Sequence, residues 1–167
     1  MNEISQEIIS KIHIPRWNEL PELDLYLDQV VNYLEKHLGQ YNVNKDDKII
    51  TKTMINNYVK LGIMPPPEKK KYSREHMAYL IVICVLKQVY SISDIGKLIS
   101  LTIQYFELSK AYNRFCANLE LSVKNVFSRK EFPNTEKMTE EQYLLKNVVQ
   151  SVADKIYVEF TFLNKEK

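Results

Sequence analysis

The chain has 167 residues, 45% of them hydrophobic, with 3 glycines and a formal net charge of +2, which excludes a disordered or low-complexity chain and points to a helix-rich globular protein with one sizeable core, or a small domain with a helical extension. The longest apolar run, MAYLIVICVL at 77–86, is about half of what a membrane span needs, and the polar opening MNEISQEIISK shows no apolar signal-peptide core. Cys84 and Cys116 sit in apolar helical stretches and read as buried free thiols of a reducing compartment rather than a disulfide framework, so a cytoplasmic protein is expected.

Ile4, Ile8, Ile9 and Ile12 fall at helical spacing and predict a short amphipathic helix. Pro15 and Pro21 interrupt it with a packed strap anchored by Trp17 and Leu20. Leu25, Leu27, Val30, Val31, Leu34 and Leu38 then predict a helix over 24–38, with Gly39 as its C′ residue. After the polar loop QYNVNKDDK, Thr51 is the candidate N-cap of a helix over 51–61 that stops at Gly62. Pro65, Pro66 and Pro67 can neither continue a helix nor sit centrally in a sheet, so they stiffen the chain into a hairpin that carries Lys69, Lys70 and Lys71. Tyr72 is positioned to plug that hairpin onto the core, and Ser73 to cap a helix over 73–89 whose thin polar face predicts the most buried helix of the chain. Ser91 and Asp94 have capping-box spacing and open the next helix. The pattern stays helical to about Ser128, breaks around Pro133, and Thr139 starts a last helix of roughly two dozen residues.

The charge is unevenly spread. Residues 1–44 hold 3 basic and 7 acidic residues, whereas 45–76 hold 8 basic and 4 acidic. A local positive field therefore covers the segment with the short helix and the hairpin. In that helix Ile55, Tyr58 and Leu61 can point inward, leaving Lys52, Thr53, Asn56, Asn57 and Lys60 outside. Such a face suits a DNA groove, because Asn can bond adenine edges bidentately and Thr and Lys can meet phosphates or guanine. Lys69, Lys70, Lys71 and Arg74 would neutralise backbone phosphates and release counterions. An ordinary polar helix face beside a basic loop is the competing interpretation. The sequence thus predicts an all-α protein with a small β wing: a winged helix-turn-helix over 1–99 and a helical dimerisation or effector region over 100–167, where Tyr105, Phe106, Tyr112, Phe115, Tyr143, Val148, Val152 and Ile156 can supply either an interface or an internal core.

Enzyme chemistry finds little support. His13, His37 and His76 lack metal-ligand spacing, the glycines form no phosphate-binding loop, and Asp46-Asp47 reads as a turn pair. No catalytic residue, metal or cofactor is assigned from the sequence.

The segment TMINNYVKLGIMPPP…KKKYSREHMAYLIVICVLKQVYSISDIGKLI resembles the DNA-binding region of MerR-type regulators, with Ile55, Tyr58, Gly62, Ile63, Tyr72, Ser73, Leu80, Ile83, Leu86, Ser91, Ile92 and Ile95 on matching positions. Asn56 stands where those regulators carry an Arg, Asn57 where they carry the first of two paired Tyr, and the wing is several residues shorter. Over roughly 14–165 the chain is similar to a bacterial family, domain of unknown function 1836, through the pattern from Trp17 to Val30 and the block from Thr53 to Ile99. The resemblance implies a MerR-like winged helix with an added helical region in a transcription regulator. Double-stranded DNA, a second copy of the chain and an effector are the implied partners.

Overall fold

The computed structural model describes residues 3–42 and 46–163, so part of the predicted loop at 40–48 and the side chain of Ile4 lie outside the described residues. The described residues are mostly helical, 69% of them, with one small two-stranded antiparallel sheet. Among the described residues seven α-helices run in chain order: α1 Glu3–Lys11, α2 Leu27–Leu38, α3 Lys52–Lys60, α4 Arg74–Leu86, α5 Ile92–Tyr105, α6 Leu108–Ser128 and α7 Glu140–Thr161. The strands are β1 Leu25–Tyr26 and β2 Lys71–Tyr72. Two compact units form, one from Pro15–Asn113 and one from Met1–Ile14 with Arg114–Lys167.

The Pro15–Asn113 unit is built around α4. Met77, Leu80, Ile81, Ile83 and Cys84 are fully sequestered there, as its nearly all-apolar sequence requires. α2 packs against α4 and α3, and α5 packs against α4. The strap wraps back on the start of α6: the Tyr112 hydroxyl donates to the Pro15 carbonyl at 2.6 Å, and the Trp17 N–H donates to Asn113 Oδ1 at 2.8 Å. Leu20 is the buried anchor, while Trp17 is only half-buried, its ring edge-on to Tyr112.

In the second unit α1 lies against α7. Ile8 and Ile12 are buried, as are Cys116, Val123, Val149 and Val152. The Ile14 N–H donates to the buried Glu120 carboxylate at 2.7 Å, and the Phe127 and Tyr157 rings meet edge-on.

Several sequence expectations need correction. The helix predicted over 24–38 starts at Leu27, because Leu25 and Tyr26 pair as β1 with β2, Leu25 opposite Tyr72 and Tyr26 opposite Lys71. That pairing joins segments more than forty residues apart, which local periodicity cannot register. Gly39 keeps a right-handed backbone (φ −55) and the chain tightens into a 3₁₀ turn, Gly39–Tyr41, instead of ending in a left-handed cap. Helix α4 stops at Leu86 rather than near 89, closed by Val89 and Tyr90 N–H bonds to the Leu86 carbonyl. The helical pattern that runs to Ser128 is interrupted at Phe106, whose extended backbone separates α5 from α6. Leu61, expected to face inward, is 59% exposed because it caps α3 one residue before the chain turns away.

Candidate nucleic-acid interface

The short helix α3 is defined at both ends by its own sequence. Thr51 accepts the Met54 N–H on its hydroxyl at 3.2 Å, the expected N-cap. At the other end Gly62 takes φ +71, with Gly62 N–H to Val59 O at 3.0 Å and Ile63 N–H to Tyr58 O at 3.0 Å. These two bonds satisfy carbonyls that the helix end would otherwise orphan, and the left-handed residue between them is where a Cβ is costly. Ile55 and Tyr58 are buried, and burial pushes the Tyr58 hydroxyl up to about 12. The opposite face leaves Lys52, Thr53, Asn56, Asn57 and Lys60 in solvent together.

One of these residues already has a partner. Lys52 forms an ion pair with Asp28 on α2, both side chains being well exposed. Nothing in the local sequence pattern marks Asp28, since the two positions meet only because α2 and α3 pack.

The link between α2 and α3 is held by the body of the unit. The Ile49 N–H donates to Glu35 on α2 at 2.9 Å, Asn42 Nδ2 donates to the Asp47 carbonyl at 2.8 Å, and Ile49 and Ile50 are buried. A buried Ile pair immediately before Thr51 sets the start of α3 against the core, so its polar face is directed rather than free to rotate.

The hairpin that follows is tighter than its sequence suggests. Glu68 and Lys71 exchange both backbone bonds, at 3.1 and 2.8 Å, and the two residues between them, Lys69 (φ 49) and Lys70 (φ 65), both lie in the left-handed region. Two successive positive-φ residues are what a two-residue type I′ turn requires, a role that Asn-Gly fills at least cost. Lysines there carry a backbone cost that Asn-Gly would largely avoid. Lys69 and Lys70 are exposed at the tip. Lys71 is half-buried, its ammonium 5.2 Å from the centre of the Tyr26 ring. Arg74 is also half-buried and donates to the Leu20 carbonyl at 3.3 Å. The four basic residues expected to act alike therefore divide into an exposed pair at the tip and a pair engaged by the strap and by β1.

Tyr72 is buried beneath the hairpin, edge-on to the ring of the equally buried His76. The imidazole of His76 accepts the Ser73 N–H on Nδ1 at 2.9 Å, and its Nε2 lies 3.0 Å from the Pro66 carbonyl. The Ser73–His76 spacing is that of a capping box, so the sequence held the signal for the first bond. It held none for the second.

Farther along, Leu101, Ile103 and Tyr105 in the second half of α5 and Phe106 just after it are exposed, Tyr105 at 74%. Of the other aromatic and aliphatic residues named as a possible interface, Tyr143 is exposed, whereas Tyr112, Phe115, Val148, Val152 and Ile156 are buried. Among the described residues no group of three or more His, Cys, Asp or Glu could hold a metal ion, and no helix is long and apolar enough to cross a membrane. Cys84 and Cys116 are buried and form no disulfide, and burial pushes the Cys84 thiol up to about 12.

No curated protein and no solved structure matches the chain. A family model, Domain of unknown function (DUF1836), matches residues 15–115, a span that takes in the strap, the α2–α3 pair, the basic hairpin, α4 and α5. The chain belongs to that family, domain of unknown function 1836.

Proposed function

We propose that the chain is a sequence-specific DNA-binding transcription regulator that acts as a repressor by occupying a promoter. The observation that carries this reading is the pairing of α3's exposed face of Lys52, Thr53, Asn56, Asn57 and Lys60 with the hairpin that follows it, whose tip holds Lys69 and Lys70 in left-handed conformations. In this reading α2 and α3 are a MerR-like helix-turn-helix with an enlarged turn. α3 enters the major groove, the hairpin is a wing on the flanking phosphates, and residues 1–99 form the DNA-binding part. Asn56 and Asn57 read base edges, and Lys52, Thr53 and Lys60 orient the helix. Lys69 and Lys70 hold phosphate directly, and Lys71 and Arg74 support them from the base of the wing. Residues 100–167 are the helical region for dimerisation or effector sensing, and the protein works in the cytoplasm as a homodimer without catalysis, metal or cofactor. The exposed apolar run of α5 supports the dimer, because a second copy would cover it.

The same apolar run favours a second reading. In it the scaffold has given up DNA and α5 docks another protein, in keeping with Asn56 at the position where MerR-type regulators carry Arg.

Fluorescence anisotropy decides between them, with a duplex from upstream of the protein's own gene set against a scrambled duplex across a salt series. Selective binding that weakens steeply with salt supports the regulator. Weak and equal binding to both duplexes refutes it and leaves the adaptor.

A further inference from the structure

The three prolines of the wing create a problem that a regular hairpin does not have. Pro65, Pro66 and Pro67 have no backbone N–H, so the ladder closed by Glu68 and Lys71 at the tip cannot be continued toward the base by donors from the incoming strand. What those residues still offer is carbonyls. The Pro66 carbonyl faces His76 Nε2 at 3.0 Å, while Nδ1 of the same ring takes the Ser73 N–H at 2.9 Å and lies 2.8 Å from the Ser73 hydroxyl. Residues 66 and 73 bound the wing, so one buried imidazole joins its two ends. The Tyr72 ring packs edge-on against that imidazole, which leaves it little freedom to turn.

From this geometry we infer that His76 is the positioning residue of the wing. It replaces the backbone rung that the prolines remove, and it holds Lys69 and Lys70 at a fixed attitude to α3. The hydrogen bonds determine its chemical form. Nδ1 receives an N–H and so carries no proton, whereas Nε2 faces a carbonyl and so carries one. A Gln side chain also offers one acceptor and one donor at similar separation, and an apolar side chain of similar bulk offers neither. The clamp stands on the protein alone, and its consequence for phosphate contacts rests on the DNA-binding reading above.

The test has two parts. In the wild-type protein at pH 8, nitrogen–proton correlation spectra of the imidazole are expected to show the proton on Nε2, exchanging slowly with solvent. A proton on Nδ1 overturns the inference without any variant. In the second part His76→Leu is compared with His76→Gln for trypsin cleavage after Lys69, Lys70 and Lys71 and for the salt dependence of duplex binding, with helical circular dichroism as the control for folding. Losing the tie is expected to speed nicking of His76→Leu roughly fivefold, the equivalent of one net hydrogen bond, and His76→Gln is expected to stay near the wild-type rate. Wild-type nicking in a folded His76→Leu, or rapid nicking in His76→Gln, overturns the clamp.

The binding slope of His76→Leu should flatten in the same direction as that of Lys69→Asn/Lys70→Gly, whose loss of two phosphate contacts at about 0.9 each sets the upper bound of about 1.8. A flattened slope in the lysine variant but not in His76→Leu refutes the positioning role and leaves the DNA reading standing. An unchanged slope in both, with faster nicking in His76→Leu, supports the clamp and refutes the phosphate role of the wing.

Discussion

Lys69→Asn combined with Lys70→Gly should move stability and DNA affinity in opposite directions. Both lysines sit at positive φ in a two-residue turn, and a residue with a Cβ pays roughly 1–2 kcal/mol for that backbone. Asn tolerates the region better than Lys, and Gly adopts it freely but returns about 0.5–1 kcal/mol through the greater freedom of the unfolded chain. The net gain is then about 1 kcal/mol, which for a chain of this size raises the melting temperature by roughly 2–4 °C. The same double substitution removes both exposed cations at the hairpin tip. If each meets one phosphate, the slope of log affinity against log salt flattens by about 1.8, so a fourfold rise in salt weakens the variant about 12-fold less than the wild type. Differential scanning calorimetry and an anisotropy salt series on the same two proteins give both quantities. A lower melting temperature would refute the turn-strain reasoning, and an unchanged salt slope would refute the placement of the wing on phosphates.

Three further outcomes are expected. Asn56→Ala with Asn57→Ala should lose selectivity more than overall binding, about 1–3 kcal/mol per base contact removed, seen as a converging ratio of target to random-duplex affinities; a ratio held at the wild-type value would exclude this face as the reader. Gly62→Ala should destabilise by about 1 kcal/mol in urea titrations purely through its backbone, since a Cβ there would have nothing within 4 Å to strike, and a neutral substitution would show that the helix end relaxes. Burial raises the Cys84 thiol from 9.0 to about 12 and the Tyr58 hydroxyl from 10.0 to about 12. Both folded values exceed the unfolded ones, so the stability each contributes is intact below pH 9 and is lost as pH climbs toward 12. Denaturant midpoints should therefore fall between pH 8 and pH 11, and an unchanged midpoint would contradict the burial of both groups.

Much of the candidate site was legible in the chain because it is local. The Thr51 cap, the Gly62 stop, the alternation of buried Ile55 and Tyr58 with exposed Asn56 and Asn57, and the Ser91 cap of α5 all depend on residues within one or two helical turns of each other. The burial of α4 followed from a composition with almost no polar face. Periodicity and capping are short-range effects, and a linear pattern carries them directly.

What tertiary structure decided is which of those residues act alone. Lys52 meets Asp28, Lys71 lies by the Tyr26 ring, Arg74 reaches the Leu20 carbonyl and His76 reaches the Pro66 carbonyl. Only the pair of elements brought together by packing makes each of these contacts possible. The strand β1 exists for the same reason: two residues have no β identity of their own until β2 supplies the hydrogen-bond partners. The left-handed lysines likewise belong to the closed hairpin: Glu68 and Lys71 exchange both backbone bonds, and the two residues between them take the positive φ of a type I′ turn. Local propensity set where the elements of this protein begin and end. The packing of distant segments set which of its charges face solvent, and with them the surface of the candidate site.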